Sequence, residues 1–341
     1  MLPCSPESWL SHPKFVLIFS HFMALIVFPL HLLTAFCILK RTPPSMSTVK
    51  WTILNLHFWN MMVDCLMNIF IIPCPLFPTV SGYLLGVFSA LGVRATVQAW
   101  ILATALGMVC VSTTMIFENR FYLIIAKFGK WRRIRPFWKL ANIIFCLIIC
   151  IPTMMQLPDQ AMAKEAVLNN LPCVSPFLLT VDIITPTLDD NVFIFTSLAF
   201  CVIVFGQIIA FATVLSIQLA TDFGASTLSE YTRRLQRKLL KALILQTGIP
   251  FVYLLLPVVF AVVLVSTDYF DFTVNNLIVV LTSFHGLVST SSMLLIHAPY
   301  RHAVRWIIWR KRIPRVGVEP APMLFTRTTN TGVERRNSTG H

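Results

Sequence analysis

Residues 15–39 read FVLIFSHFMALIVFPLHLLTAFCIL, and this stretch contains no Asp, Glu, Lys or Arg. An α-helix rises about 1.5 Å per residue, so a run of this length can cross the roughly 30 Å hydrocarbon core of a bilayer. The run is too long for the apolar region of a signal peptide, and Lys14 is the only basic residue before it. The stretch therefore predicts a helix that stays in the membrane.

Six further apolar runs follow along the chain. The seven predicted spans are, approximately, 15–39, 51–73, 95–117, 137–157, 191–219, 242–265 and 274–297. Asp64 is the one acidic residue within them. The runs show little of the 3.6-residue alternation that a helix of a soluble protein needs for a polar outer face. The sequence therefore predicts an all-α membrane protein, a seven-transmembrane helix bundle.

The composition excludes the other broad classes. Apolar residues make up 56% of the 341 positions and charged residues only 12%, about half the share in soluble domains. A disordered chain is poor in apolar residues, whereas this one has 27 Phe. Nine Cys are too few for a secreted disulfide scaffold. The net charge of +13 would suggest nucleic acid in a soluble chain, but here the charges lie between apolar runs, so we expect no nucleic-acid partner.

An eighth charge-free run covers residues 76–93. It contains Pro78, Gly82, Gly86 and Gly92, which are typical of a loop or a re-entrant segment rather than of a spanning helix. An eighth span would also reverse the side on which every later loop lies. We therefore expect seven spans.

The basic residues predict the orientation of the bundle. Seven spans leave Lys14, Arg94 and Lys164 on one side and the other 24 of the 27 Lys and Arg residues on the opposite side. Because basic loops stay cytoplasmic, we expect the N-terminus outside and the C-terminus inside. The predicted division is an extracellular segment 1–14, the helix bundle 15–297, a surface helix 298–312 and a flexible cytoplasmic tail 313–341.

Glu118 and Arg120 lie at the predicted inner end of the third span. An arginine there can pair with a carboxylate, and breaking that pair would open a cytoplasmic cavity. In the alternative interpretation, Arg120 extends to the headgroup layer and Glu118 is simply solvated. The sequence leaves both open.

Asp64 falls in the middle of the second span, where an acidic side chain costs about 2.5–3.5 kcal/mol. It should therefore face the bundle and have a polar partner, and the candidates are Ser112 in the third span and the run Ser289-Thr290-Ser291-Ser292 in the seventh. The functional interpretation is an ion or water site that biases the bundle between two conformational states. The alternative is a neutral, hydrogen-bonded structural aspartate.

The segment after the last span begins with Pro299, Tyr300 and Arg301. Its apolar residues repeat at helical spacing, whereas Arg301 and Arg305 share another face. This pattern predicts a short amphipathic helix on the inner leaflet of the bilayer.

Three cysteines, Cys4, Cys74 and Cys173, lie in predicted outer segments, where oxidising conditions favour one disulfide among them. The histidines are not spaced like metal ligands, so we expect no metal. No phosphate-binding loop or catalytic triad pattern occurs in the sequence. We therefore expect neither enzymatic activity nor a cofactor.

Several motifs together resemble the nematode serpentine receptors of class H. They are TPPSM at 42–46, NLHFW at 55–59, Glu118-Asn119-Arg120, and Pro299-Tyr300-Arg301, and the resemblance covers about residues 4–312. Against the wider rhodopsin-like pattern, Glu118 and Arg120 are separated by one residue instead of being adjacent. The resemblance also favours Cys4 over Cys74 as the disulfide partner of Cys173.

The resemblance implies a chemosensory receptor in the plasma membrane, displayed on the cilia of sensory neurons. Such a receptor would bind a small exogenous molecule within the bundle and activate a heterotrimeric G protein. Glu118, Arg120, Pro299, Tyr300 and Arg301 would then take part in switching and coupling. Two other functions fit seven helices, namely a ligand-gated channel, whose N-terminus would lie inside, and a small-solute transporter, which would move substrate without a G protein.

Overall fold

The structure is a computed structural model, and it describes residues 8–126, 129–185, 190–220 and 230–309. Thirteen α-helices are described in these residues. They are α1 (Pro13–Arg41), α2 (Ser47–Cys65), α3 (Val87–Ala90), α4 (Ala95–Phe121), α5 (Trp131–Ile148), α6 (Ile151–Met155), α7 (Gln160–Asn170), α8 (Pro176–Thr180), α9 (Asp190–Ala220), α10 (Glu230–Ser266), α11 (Phe272–Ser283), α12 (His285–Ile296) and α13 (Ala298–Trp309). The strands are β1 (Pro73–Pro75), β2 (Gly82–Leu84) and β3 (Ile183–Ile184).

Seven helical spans form the bundle, and the prediction of this fold is confirmed. The spans are α1, α2, α4, α5 with α6, α9, α10, and α11 with α12. Within the described residues, all of these except α2 are long and apolar enough to cross a membrane by length and composition. The second span has a lower hydropathy because it carries Asn55, His57, Asn60 and Asp64. Large apolar side chains point outward from the bundle, such as Leu25 at 75% exposure, as expected for a surface in contact with lipid.

Capping residues explain where several helices begin. The side chain of His12 accepts a hydrogen bond from the backbone N–H of Lys14, and Pro13 occupies the first turn of α1. The carboxylate of Asp271 accepts from the backbone N–H of Val274 at 3.0 Å and starts α11. These caps satisfy donors that the helix leaves unpaired.

Four spans are irregular, and one of them is the fourth, which is interrupted at residues 149–150 between α5 and α6. The second and third continue past their α-helical parts as short π-helices, Leu66–Phe70 and Tyr122–Ala126. The seventh span is divided at Phe284, which lies between α11 and α12. Such interruptions often occur at functional positions in helices.

A small antiparallel sheet covers one end of the bundle, which we call the sheet end. Its order is β1-β2-β3, with Cys74 opposite Tyr83 and Tyr83 opposite Ile183. Residues 76–93 contribute β2 and α3 to this cover and do not form an eighth span. Tyr83 and Leu178 are fully buried in an apolar cluster that ties the sheet to α1, α7, α8 and α11.

The helix α13 lies at the opposite end, which we call the α13 end. Tyr300 is fully buried, and its hydroxyl lies 2.9 Å from Oγ1 of Thr42, at the end of α1. The guanidinium of Arg41 stacks 4.9 Å from the ring centre of Trp306. The last helix therefore packs against the first span. The predicted tail, 313–341, lies outside the described residues.

Candidate functional site

A cavity of about 560 Å³ opens inside the bundle towards the sheet end. Every span except the first contributes to its wall, and residues around β2 and β3 line it from the sheet end. Its volume lies within the roughly 300–1,000 Å³ range of small-molecule sites. Of the residues that the structure describes, those lining the cavity include no Asp, Glu, Lys or Arg, and the one imidazole among them belongs to His285. The cavity is thus an apolar site with the imidazole of His285 in its wall.

Asp64 lies beside this cavity in a buried polar cluster, which we call the Asp64 cluster: Asp64, His31, His57, His285 and Thr290. Nε2 of His31 is 2.8 Å from Oδ2 of Asp64, and Nδ1 of His285 is 3.6 Å from Oδ1. Oγ1 of Thr290 lies 3.2 Å from Nδ1 of His31. Nε2 of His57 lies 3.0 Å from the carbonyl oxygen of His31. The cluster joins the first, second and seventh spans.

Thr290 of the predicted run lies in the Asp64 cluster through His31, but among the described residues Ser112 and Ser289 form no hydrogen bond with Asp64. Ser112 accepts a hydrogen bond from Nδ2 of Asn55 at 2.8 Å. Ser289 is buried on α12, but among the described residues no hydrogen bond joins it to Asp64. Asp64 turns towards the first and seventh spans, whereas Ser112 belongs to the third span, and this helix rotation could not be read from the sequence. The prediction that Asp64 faces the bundle agrees with its exposure of only 5%.

Gly286 makes room for the carboxylate of Asp64. A Cβ atom added at this glycine would overlap the carboxylate, with Oδ1 only 2.6 Å away. The second and seventh spans therefore approach so closely here that only hydrogen fits at this position.

A second buried polar group, the Glu118 cluster, consists of Glu118, Asn119, Trp131 and Arg135 near the α13 end. Nε of Arg135 lies 2.8 Å from Oε1 and 3.0 Å from Oε2 of Glu118, whose side chain is fully buried. The indole N–H of Trp131 donates to Glu118 at 2.9 Å, and Nη2 of Arg135 donates to Oδ1 of Asn119 at 2.7 Å. The cluster joins the third span to the fourth.

Glu118 and Arg120 do not form an ion pair. Residues two apart on a helix point to different sides, and Glu118 turns to Arg135 on α5. Arg120 is only 7% exposed and lies near His297 at the end of the seventh span. Within the described residues no carboxylate pairs with it. The guanidinium is therefore a buried cation facing the seventh span.

Pro299, Tyr300 and Arg301 begin α13. Tyr300 is enclosed between the first and last helices, so it is a packing residue in this conformation. Arg301 lies beyond the end of α12 and donates from Nη1 to the carbonyl oxygen of Leu295, in the last turn of that helix, at 3.1 Å. Nε2 of the neighbouring His297 lies 2.7 Å from Oε1 of Gln246, which connects the seventh span to the sixth.

Cys173 is disulfide-bonded, and Cys74 is a free thiol, so the alternative pair Cys74–Cys173 is wrong. Burial raises the pKa of the Cys74 thiol well above its ordinary value, which keeps it protonated and unreactive. Cys4 lies outside the described residues. Among those residues, no group of three or more His, Cys, Asp or Glu side chains could hold a metal ion.

Sequence reasoning missed His31, His285 and Arg135. One pattern pointed towards the Asp64 cluster: His57 and Asp64 are seven residues apart, so they share a face of α2. Their partners on other helices are 26 and more residues away, and no local spacing identifies them.

Comparisons with known proteins agree with this architecture. The family model described as serpentine type 7TM GPCR chemoreceptor Srh matches residues 11–310. Serpentine receptor class H-72 of Caenorhabditis elegans is 31% identical over 293 residues, covering 84% of this chain and 83% of that protein. The crystal structure of squid rhodopsin superposes with a TM-score of 0.52 at 13% identity, over 90% of this chain and 88% of that chain, and this likeness shows the fold alone. The resemblance to class H receptors is thereby confirmed: the chain belongs to the Srh family of serpentine seven-transmembrane chemoreceptors.

Proposed function

We propose that the protein is a chemosensory receptor that binds a small exogenous molecule in the apolar cavity and activates a heterotrimeric G protein at the α13 end. The observation that carries the proposal is the position of His285. This residue lines the cavity, begins α12 just after the break at Phe284, and contacts Asp64. A molecule bound there is in contact with the part of the seventh span best able to change its direction.

The coupling follows packed elements between the two ends of the bundle. From His285, α12 continues to His297, whose side chain meets Gln246 on α10. Pro250 and Pro257 lie within α10, where each removes a backbone hydrogen bond and permits bending. A ligand shifts such a two-state equilibrium only by its difference in affinity for the two states. The family is a receptor family, and we propose no catalytic activity for this member.

We further propose that the α13 end faces the cytoplasm of a sensory neuron, in its plasma membrane and cilia. Most basic residues flank that end, as the positive-inside rule requires. They would contact anionic lipid, and α13 would lie on the inner leaflet. Its half-exposed Trp306 suits the headgroup layer.

Epitope tags test this orientation. A tag after Met1 should be labelled by antibody on intact cells, because the N-terminal segment would be extracellular. A tag at His341 should be labelled only after the cells are permeabilised. The reverse pattern would contradict the receptor orientation and would favour the channel architecture.

We also propose that Cys4 is the partner of Cys173. Of the nine cysteines, seven are free thiols and Cys173 is disulfide-bonded, which leaves Cys4 for this pairing. Peptide mapping of surface-expressed protein without reduction should recover the two peptides as one linked species. Recovery of Cys173 as a free thiol would disprove the pairing.

Arg120 tests coupling to the G protein. Its buried guanidinium has no carboxylate partner among the described residues, so it would pair with acceptors of a docked partner once activation uncovers it. In cells that express the receptor and a G-protein reporter, an odorant screen should identify an activating compound. Arg120→Ala should then abolish activation while surface expression and ligand binding stay nearly unchanged.

Arg120→Lys should fail as well, because one ammonium cannot replace the bidentate guanidinium. The matched control is Arg305→Ala, which removes an exposed cation at the same end and should signal normally. Normal signalling by Arg120→Lys would show that Arg120 only places a positive charge in the headgroup layer. If the screen finds no compound whose activating effect depends on the receptor in any G-protein background, that result would count against the proposed function itself.

A further inference from the structure

His285 has one ring nitrogen without a partner. Its Nδ1 faces Oδ1 of Asp64, so Nε2 lies on the far side of the ring. Among the residues that the structure describes, nothing accepts from or donates to that nitrogen. The side chain is only 6% exposed and forms part of the cavity wall. Because the ring forms part of the cavity wall, this nitrogen is free to form a hydrogen bond with a molecule in the cavity.

The two histidines at Asp64 differ in how closely they approach its carboxylate. The His31–Asp64 separation of 2.8 Å has the length of a charge-assisted hydrogen bond, whereas the His285 separation of 3.6 Å does not. His31 is therefore the main partner of Asp64, and His285 makes the weaker contact. With its proton on Nδ1 towards Asp64, His285 presents Nε2 as an acceptor.

The rest of the wall determines what else the ligand must be. Among the described lining residues there is no Asp, Glu, Lys or Arg, so a charged ligand would lose its hydration without gaining a counter-ion from them. Oγ1 of Thr153 lies 3.1 Å from Oγ1 of Thr196, so these two wall hydroxyls are occupied with each other. Cys110, Cys146 and Cys150 contribute thiols, which act as small apolar groups in such surroundings.

We infer that the cavity binds a neutral, mainly apolar molecule with one hydroxyl group, which donates a hydrogen bond to Nε2 of His285. The inference rests on the proposed function and narrows it to a chemical class, the apolar alcohols. His285 is the specificity-determining residue, because it holds the hydroxyl on one side and meets Asp64 on the other.

Photolabelling tests this inference without any G-protein readout. The probe is an eight-carbon alkanol with a diazirine in its chain, applied to the purified full-length protein in lipid nanodiscs. After illumination, peptide mapping should find adducts on cavity-lining residues such as Met154 and Leu254. Excess 1-octanol should compete with the labelling, whereas octanoate and octylammonium should not. Equal competition by octanoate or by octylammonium would overturn the inference of a neutral ligand.

Variants of His285 distinguish binding through this hydrogen bond from binding by apolar contact alone. His285→Leu should reduce alkanol labelling roughly two- to tenfold, to the level of the matching diazirine alkane, which is the expected effect of one lost hydrogen bond. His285→Gln keeps a polar group next to Asp64 and provides an acceptor, and it replaces His285→Leu in the test if that variant does not fold. In His285→Gln, the alkanol probe should label more strongly than the alkane probe. Labelling that is equal for the alkanol and the alkane in the unmodified protein would overturn the role of His285.

Leu254→Trp narrows the cavity with a bulky ring at a lining position outside the Asp64 cluster, and it should reduce labelling strongly. Leu255→Trp is the matched control, because its side chain on the same helix is 43% exposed on the outside of the bundle and the variant should label normally. Cavity labelling without G-protein activation would support the ligand class and contradict the proposed coupling. Activation by a compound that never competes in the cavity would support the coupling and overturn the ligand site.

Discussion

Gly286→Ala is expected to destabilise the folded receptor by about 3–5 kcal/mol, which is the range for disrupting a buried charged pair. The new methyl group would occupy the space of the Asp64 carboxylate, whose Oδ1 is 2.6 Å from the added atom. Either the seventh span moves away or the carboxylate turns out of its contact with His31. Thermal unfolding of the purified protein should show a lower melting temperature, and less protein should reach the cell surface.

Gly248→Ala is the matched control for this variant. Gly248 lies inside α10, and no atom is found within 4 Å of its added Cβ. Alanine is more favourable than glycine in a helix by about 1 kcal/mol, so this variant should be as stable as the original protein or slightly more stable. Equal melting temperatures for Gly286→Ala and Gly248→Ala would contradict the close approach of the second and seventh spans.

Arg135→Met should destabilise the bundle by about 3–5 kcal/mol as well, because it leaves Glu118 as a buried carboxylate without its main counter-ion. Lys139 lies 4.0 Å from Oε2 of Glu118 and compensates only in part. The double variant with Glu118→Gln should recover much of the loss, since it removes the uncompensated charge. The measurement is again thermal unfolding of the purified chain.

The control is Arg234→Met, which breaks the exposed pair of Arg234 with Glu230 on α10. Both side chains of that pair are more than 60% exposed, at 73% and 67%, and such pairs contribute about 0.3–0.5 kcal/mol. A similar melting temperature for Arg135→Met and Arg234→Met would show that the Glu118 pair does not hold the third and fourth spans together.

The fold could be predicted largely from local sequence, because an apolar run of sufficient length needs no distant partner to identify it. The amphipathic pattern after His297 likewise anticipated α13. The sheet could not be anticipated, since β2 pairs with β3, and Tyr83 meets Ile183 from a segment 100 residues away.

The candidate site was predicted only in part. Asp64 had to face the bundle, because an unpartnered acid is unfavourable in the membrane, and this requirement is local. Its partners depend on how the first and seventh spans rotate about their axes, which apolar runs do not determine. The same limitation applies to Glu118, whose partner Arg135 lies on the next helix rather than on its own.

The pairing of His31 with Asp64 has a consequence for how the chain is made. The two residues lie on α1 and α2, which are translated before the other spans of the bundle, and only a short connection joins these helices. Asp64 can therefore enter the bilayer as part of a helical hairpin that already contains its main hydrogen-bond partner. The seventh span, with His285, is translated later and joins a pair that already exists. Biogenesis of the early chain thus does not have to wait for the complete bundle before the acid of the second span is partnered.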